Sequence, residues 1–250
     1  MTSSEVWDAA TAAAYDADAA AQFAPGVLGP TVDLLHELAA GGPVLELAIG
    51  TGRVAVPLAE RGLDVTGIEL SEAMVAQLRH KVPATEIPVV VGDMATATAP
   101  GAGDYALVAL VWNTLSNLRT QDEQVACFAN AARHLRPGGR FVIELWVPPI
   151  QRLAPGEHAV PMTVSAEHVV IDTYDLLTQS CASHHYHHDP DGTVRSGVGH
   201  FRYAWPSECD LMARLAGLEP EARWADWDRT PFTATSPSHV SVWRKPQGVS

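Results

Sequence analysis

The sequence predicts an α/β fold with a mostly parallel sheet, and three observations lead to it. Short apolar segments alternate with helical segments from residue 43 to residue 147. These apolar segments are hydrophobic throughout, as is typical of strands that are covered on both faces of a sheet. The first of them, residues 44–49, runs into a turn of small residues that contains Gly50 and Gly52. Such a turn after a first strand is typical of nucleotide-cofactor folds.

The elements follow one another in a regular order along the chain. Two helices are expected before the first strand, over residues 2–23 and 31–40. Hydrophobic periodicity then predicts strands at 43–49, 63–68, 87–91, 105–112 and 140–146, with helices at 53–61, 71–81 and 120–135. A last helix begins at Pro206, and two further strands follow at 218–224 and 239–243.

The pattern changes after Pro148-Pro149. Residues 160–204 alternate β-branched and polar side chains, and Asp189-Pro190-Asp191-Gly192 is a hairpin turn between two such runs. This segment is predicted to be an antiparallel insertion. We therefore divide the chain into an N-terminal helical lid (1–42), a cofactor-binding core (43–147), the insertion on the substrate side (148–205) and a C-terminal helix and hairpin that complete the core sheet (206–250).

Composition limits the classes of partner and the compartment. The chain has 250 residues and a formal net charge of −13, so a phosphate-rich surface would repel it. Neither a nucleic acid nor a membrane is therefore expected as a partner. The three cysteines are isolated in sequence, which indicates a reducing compartment, and no signal peptide is recognised at the N-terminus. The protein is expected in the cytoplasm.

Three spaced signals concern the cofactor. Glu69 closes the second strand about 20 residues after the glycine turn, where a carboxylate accepts hydrogen bonds from ribose hydroxyls. Asp93 closes the third strand, and an acid there can accept from an adenine amine, with Met94 covering the ring. Residues 135–140, Leu-Arg-Pro-Gly-Gly-Arg, join a helix to the fifth strand.

Two other cofactor loops fit the turn less well. It reads Ala48-Ile49-Gly50-Thr51-Gly52-Arg53, so the first and last glycines of the G-x-G-x-x-G nicotinamide fingerprint are missing. A nicotinamide-dependent reductase is disfavoured on that ground. A P-loop needs Lys and then Ser or Thr after its last glycine, whereas Arg53 and Val54 follow Gly52.

Four motifs in this order resemble those of class I S-adenosylmethionine-dependent methyltransferases. They are residues 44–52, 67–71, 92–94 and 135–140, and the resemblance covers residues 12–147 and 206–244. The layout is similar to that of sugar N,N-dimethyltransferases and glycine N-methyltransferase, which also carry an antiparallel insertion after the fifth strand. The resemblance implies a Rossmann-like fold with a seven-stranded, mostly parallel sheet and one antiparallel strand.

The resemblance also implies a set of cofactor contacts. Glu46 would lie beneath the methionine end, and Ala48, with Gly50, would let the loop pass close to it. The family usually has glycine at position 48, so alanine is compatible if its φ is negative. The expected cofactor-binding residues are Tyr15 of the lid, Glu46, Ala48, Gly50, Gly52, Arg53, Glu69, Leu70, Asp93, Met94, Val111, Trp112 and Asn113.

The activity that follows is methyl transfer from S-adenosylmethionine to an oxygen or nitrogen of a small molecule. The reaction is an in-line displacement at an activated methyl group, so the protein mainly supplies position and water exclusion. A base is needed only for an acceptor that cannot lose its proton unaided, and the sequence identifies no catalytic residue. The alternative is a protein of this fold that binds S-adenosylmethionine without methylating anything.

Two further groups of side chains are candidates for other roles. Trp146, Tyr203 and Trp205 are predicted to wall a substrate pocket, although core packing explains each tryptophan equally well. His184, His185, His187, His188 and His200 form a histidine-rich group. Strand alternation separates His185 and His187 from His184 and His188, so we expect a polar hairpin or substrate contact and no metal site.

Overall fold

The computed structural model describes residues 7–247, which form two sheets. The helices are α1 (Ala9–Asp18), α2 (Pro25–Ala39), α3 (Ala55–Glu60), α4 (Glu72–Arg79), α5 (Gln121–His134) and α6 (Pro206–Leu215). The strands are β1 (Val44–Leu47), β2 (Val65–Glu69), β3 (Val89–Val91), β4 (Tyr105–Leu110), β5 (Leu135–Trp146), β6 (Ala159–Val164), β7 (His168–Asp175), β8 (Ser180–His188), β9 (Val194–Arg202), β10 (Glu219–Trp224) and β11 (Ser238–Arg244).

The large sheet confirms the predicted fold class. Its seven strands lie in the order β10-β11-β5-β4-β1-β2-β3. Strand β11 is antiparallel to both of its neighbours, and the other pairings are parallel. The strand order reverses between β1 and β4, so a crevice opens at the carboxyl ends of these strands, which is where ligands bind in open α/β sheets.

Burial on both faces explains why the central strands are apolar throughout. Every residue of β1, β2 and β4 is buried. One apolar cluster contains Phe128 of α5, Phe141 of β5 and Trp243 of β11, whose rings meet edge to face or tilted. A second cluster joins α2 and α3 to the sheet through Leu35 and Leu58. The two clusters fix the sheet between two layers of helices.

Three predicted elements have boundaries that differ from the structure. The first helix, expected over 2–23, runs only over Ala9–Asp18, because Asp8 caps its start by accepting from Thr11 N at 2.8 Å, and a separate short turn follows it at Ala20–Phe23; the expected residues 2–6 lie outside the described residues. Helix α2 begins at Pro25 and not at Thr31. Pro25 and Gly26 are turn-forming residues in many contexts, but a proline is well placed in the first turn of a helix because its missing N–H needs no partner there. Strand β5 begins at Leu135, before the Pro-Gly-Gly turn, because Leu135 already pairs with Tyr105.

The insertion forms a separate antiparallel sheet in the order β6-β7-β8-β9. The predicted turn at Asp189–Gly192 joins β8 to β9, with Gly192 at φ 88° and Asp189 N donating to Thr193 O at 2.9 Å. The buried pair Arg202–Glu208 ties the end of β9 to α6 at 2.7 Å. Gln124 of α5 also accepts from Arg202 at 2.6 Å, so this end of the small sheet is fixed to the core.

Among residues 7–247, no helix is both long enough and apolar enough to cross a bilayer.

Candidate cofactor and methyl-transfer site

The turn after β1 follows an unusual backbone path. Ala48, Gly50 and Gly52 all have positive φ, at 52°, 57° and 82°. The condition under which alanine would be compatible here, a negative φ, is therefore not met. Residues with left-handed backbones alternate with residues of negative φ, so the chain turns across the end of the sheet. Ile49 N donates to Ile68 O at 3.1 Å and holds the loop to β2. A β-carbon on Gly52 would overlap the side chain of Leu78, so glycine is required there sterically as well.

A cavity lies at the carboxyl ends of β1, β2 and β3, beside this turn. Seven of the predicted cofactor-binding residues line it: Tyr15, Ala48, Gly50, Glu69, Leu70, Asp93 and Met94. Six other lining residues were not predicted as contacts: Trp7, Ile68, Met74, Gly92, Thr114 and Asn117. The cavity thus joins segments that lie far apart in the sequence.

Glu69 holds two backbone segments at the rim of the cavity. Its carboxylate accepts from Gly50 N and from Ser71 N, each at 2.8 Å. These bonds couple the glycine turn to the start of α4, where Ser71 caps the helix by accepting from Met74 N at 3.2 Å. Burial raises the pKa of Glu69, and backbone amides, those of Ser71, Gly50 and Leu70, oppose that rise. A carboxylate has about four acceptor positions, so Glu69 is also able to accept from a ligand.

Asp93 occupies the equivalent position at the end of β3. It is buried, and its Oδ1 accepts from Ala95 N at 2.8 Å. Asn130 donates to the carbonyl of Met94 at 2.8 Å and so holds the chain just after the strand. The side chain of Met94 lies beside Asp93 in the cavity wall.

Glu46 lies under the turn, inside the sheet. It is 3% exposed, and burial raises its pKa to about 8, with Arg53 opposing the rise. Its Oε2 makes no hydrogen bond within the described part of the chain. An unpaired buried carboxylate oxygen is costly, so a bound donor at this atom would stabilise it.

The N-terminal helix α1 covers one side of the cavity. The ring of Tyr15 packs edge to face between Trp7 at 5.1 Å and Trp112 at 6.0 Å, and burial raises its pKa to about 12. Asp16 fixes the helix to the turn by accepting from Thr51 Oγ1 at 2.6 Å, and it pairs with Lys81 after α4. These contacts hold α1 against the glycine turn, and its role as a lid stays a prediction.

The chain that follows β4 is also held in a left-handed conformation. Trp112 and Asn113 have φ values of 52° and 56°. Trp112 N donates to Glu144 Oε2 at 2.8 Å, and Asn113 Oδ1 accepts from Trp146 N at 3.1 Å. Bonds of this kind are needed because a non-glycine residue in this region is strained.

Six predicted cofactor residues do not line the cavity directly. Glu46 lies in β1, Gly52 and Arg53 lie at the end of the turn, and Val111, Trp112 and Asn113 follow the end of β4. The guanidinium of Arg53 stacks over the ring of Trp112 at 5.0 Å, so these two groups are connected to each other.

The structure does not gather the three predicted substrate-pocket residues. Tyr203 is buried and packs edge to face with Trp205 at 6.2 Å and with Tyr174 at 5.9 Å. Trp146 is 55% exposed and lies beside Asn113. None of the three lines the cavity, and their role in substrate binding stays a prediction.

The strand order, the glycine turn and the two strand-end carboxylates define an α/β protein that binds a nucleotide-type cofactor. Residues 44–139 match a methyltransferase domain family. The CcbJ methyltransferase from Streptomyces caelestis has a similar structure, with a TM-score of 0.77 and 39% identity over 87% of this chain and 88% of that one.

Two curated relatives agree with this match. The cypemycin N-terminal methyltransferase of a Streptomyces species is 28% identical over 94% of this chain and 96% of its own length. The dTDP-3-amino-3,4,6-trideoxy-alpha-D-glucopyranose N,N-dimethyltransferase of Streptomyces venezuelae is 31% identical over 41% of this chain and 42% of its own. The chain belongs to the S-adenosylmethionine-dependent methyltransferases, and S-adenosylmethionine is its cofactor.

Proposed function

We propose that the cavity beside the glycine turn binds S-adenosylmethionine and that the enzyme methylates an amine of a small molecule. The proposal that this cavity binds S-adenosylmethionine rests on the placement of Glu69 and Asp93 at the ends of adjacent strands around one cavity. In this arrangement Glu69 accepts from the ribose hydroxyls, and Asp93 accepts from the adenine amine while Met94 covers the ring. Gly50 and Ala48 let the backbone approach the ligand closely.

Glu46 shows how the methionine end of S-adenosylmethionine would fit this site. Its unpaired, buried Oε2 requires a donor, and the ammonium group of the cofactor would supply one. Tyr15 would close the same end from the lid. Gly52 and Arg53 would support the turn from behind, and Val111, Trp112 and Asn113 would act at the sulfonium side.

An amine is the favoured acceptor class for two reasons. A neutral amine attacks without a general base, and the groups nearest the end of β4 in the cavity wall are the uncharged side chains of Thr114 and Asn117. The relatives named above include an N-terminal methyltransferase and an N,N-dimethyltransferase of an amino sugar. When bound, the cofactor supplies an activated methyl group that the acceptor nitrogen displaces in line with the carbon–sulfur bond.

The acceptor would approach between the lid, the end of β4 and the insertion, where Trp146, Tyr203 and Trp205 are candidate contacts. With a net charge of −13, a cationic or neutral small molecule fits this protein better than a nucleic acid or an anionic membrane. The three cysteines are unpaired and buried, which supports a cytoplasmic location.

The proposed activity is tested with radiolabelled cofactor and matched acceptors. We expect labelled product from a panel of amino sugars and peptide N-termini, and no product from the corresponding hydroxyl compounds. Product from the hydroxyl compounds alone would reject the amine assignment. Cofactor binding without S-adenosylhomocysteine release from any acceptor class would favour a non-methylating protein.

The ribose contact is tested by pairing a variant with a ligand change. Replacing Glu69 by Ala should weaken S-adenosylhomocysteine binding by roughly 1.5–3 kcal/mol, the range for hydrogen bonds to a charged acceptor. Because Glu69 also holds Gly50 and Ser71, the loss alone does not identify the ligand contact. The wild type should bind the 2′-deoxyribose analogue more weakly, and the variant should not distinguish the two ligands. Equal discrimination by both proteins, measured by calorimetry, would contradict the assignment.

A further inference from the structure

Three imidazoles meet on one face of the small sheet, away from its attachment to the core. His168 of β7 lies directly opposite His187 of β8, and His185 lies two residues along β8 on the same face. The sequence places His185 and His187 on one face of a strand but gives no third ligand beside them. Only the pairing of β7 with β8 adds His168.

The three rings are close and nearly parallel. The ring centroids of His168 and His187 are 3.9 Å apart, and those of His168 and His185 are 5.3 Å apart. His168 Nε2 lies 3.2 Å from His185 Nδ1, and one ring nitrogen of each histidine lies within 4.8 Å of the other two. Zinc–nitrogen bonds of about 2.0–2.1 Å in a tetrahedron place the ligand nitrogens about 3.3 Å apart. One pair is already at that spacing, and side-chain rotations of these half-buried rings would bring in the third.

The other nitrogen of His185 already has a fixed partner. His185 Nε2 lies 3.2 Å from Ser183 Oγ, on the same face of β8. When that nitrogen donates its proton to the hydroxyl, the lone pair of Nδ1 faces His168. Histidines that bind metals show this pattern, because the second ring nitrogen donates to an oxygen and so fixes the ring.

The charged groups around the three rings are compatible with a cation. Arg195 pairs opposite His187, but Asp189 holds its guanidinium through two contacts of 2.8 and 2.9 Å. The buried Asp172 lies on the same face as His185, and its Oδ1 has no hydrogen-bond partner within residues 7–247. The local field is therefore not cationic.

We propose that His168, His185 and His187 bind one divalent first-row transition ion, such as Zn²⁺, through three neutral imidazoles. Three ligands leave a fourth position open to water or to another donor. Imidazole ligands suit zinc, copper and nickel, whereas calcium and magnesium prefer oxygen. The site lies on the insertion and is separate from the cavity beside the glycine turn.

The test is titration of untagged, chelator-treated full chain with Zn²⁺, followed by calorimetry. The wild type should bind one equivalent. His187→Gln should bind at least about tenfold more weakly, and Ser183→Ala should lose about 10–100-fold through the loosened ring of His185. His188→Gln is the matched control, because His188 lies on the same strand but on the opposite face. It should bind as the wild type does.

Two results would overturn the proposal. One is the absence of stoichiometric Zn²⁺ binding by the wild type at micromolar concentration, and the other is equal weakening in His187→Gln and His188→Gln. Circular dichroism and thermal unfolding of the metal-free proteins check that each variant folds. If His187→Gln does not fold, His168→Gln gives the same comparison from the neighbouring strand, with the same expected loss.

Discussion

The positive φ of Ala48 predicts that glycine at this position makes the protein more stable. Two alanines have left-handed backbones, Ala48 at φ 52° in the glycine turn and Ala40 at φ 48° after α2. A left-handed conformation costs an L-residue roughly 1–2 kcal/mol, and glycine does not bear this cost. Glycine loses about 0.5–1 kcal/mol more in chain entropy on folding, so the net gain is about 0.7 kcal/mol.

Packing lowers the gain at Ala48 relative to Ala40. Ala40 is exposed, whereas the methyl of Ala48 is half-buried against the core. Full burial of a methylene-sized group contributes about 0.8 kcal/mol, so losing half of it leaves a gain of about 0.3 kcal/mol for Ala48→Gly. Ala40→Gly should keep the full gain in stability of about 0.7 kcal/mol.

A third alanine gives a control of opposite sign. Ala76 is exposed within α4, where glycine costs about 1 kcal/mol of helix stability. Urea unfolding of the cofactor-free proteins should therefore rank Ala40→Gly above Ala48→Gly, the wild type next and Ala76→Gly last. A loss of about 1 kcal/mol in Ala48→Gly, equal to that in Ala76→Gly, would refute the left-handed conformation.

The remaining predictions concern Glu46 and the two glycines of the turn. The pKa of Glu46 is raised to about 8, so the native state keeps the proton that the unfolded chain loses from its model value of 4.5. The contribution of Glu46 is therefore present below pH 4.5 and is lost as the pH rises towards 8, at up to about 1.4 kcal/mol per pH unit. Glu46→Gln should lack this loss. In urea unfolding, the stability of the cofactor-free variant relative to the wild type should therefore increase between about pH 5 and about pH 8. A difference in unfolding free energy that stays constant with pH would contradict the raised pKa. Gly52→Ala should lower the free energy of unfolding by more than the roughly 1–2 kcal/mol of left-handed strain, because its β-carbon would overlap Leu78. At Gly50 an added β-carbon makes only an ordinary contact with the carbonyl of Ala48, so Gly50→Ala should lose only the strain while weakening cofactor binding. Equal losses of unfolding free energy in the two glycine variants would argue against this difference.

Local sequence signals were sufficient for most of the large sheet. Apolar segments bounded by turn residues identified the parallel strands in order, because strands buried on both faces need apolar residues throughout. The helix expected from residue 71 begins there, with Ser71 as its cap, and Asp189–Gly192 forms the expected hairpin turn, since each depends on interactions within a few residues. Glu69 and Asp93 were placed correctly beside one cavity, because each follows directly from the end of a strand.

Features that depend on distant contacts were not predictable in the same way. Trp7, Thr114 and Met74 line the same cavity, although Trp7 precedes α1, Thr114 follows β4 and Met74 lies in α4. None of these three residues belongs to a sequence motif, and only the packing of their segments brings them together. The wrong start of α2 has a similar cause, because Pro25 favours a turn locally but begins a helix whose face is buried against the sheet.

The sequence by itself determined the order of strands and helices, the glycine turn and the places of Glu69 and Asp93 at or just after the ends of two strands, since short-range patterns encode all of these. Only the tertiary structure decided the positive φ of Ala48 and the unpaired oxygen of Glu46, because both depend on what surrounds the turn. It also decided the meeting of His168 with His185 and His187, because strand register brings together residues that are 17 and 19 positions apart. The register of a strand is set by which of its faces is buried. The hydrophobic pattern of one strand does not identify the strand that lies beside it.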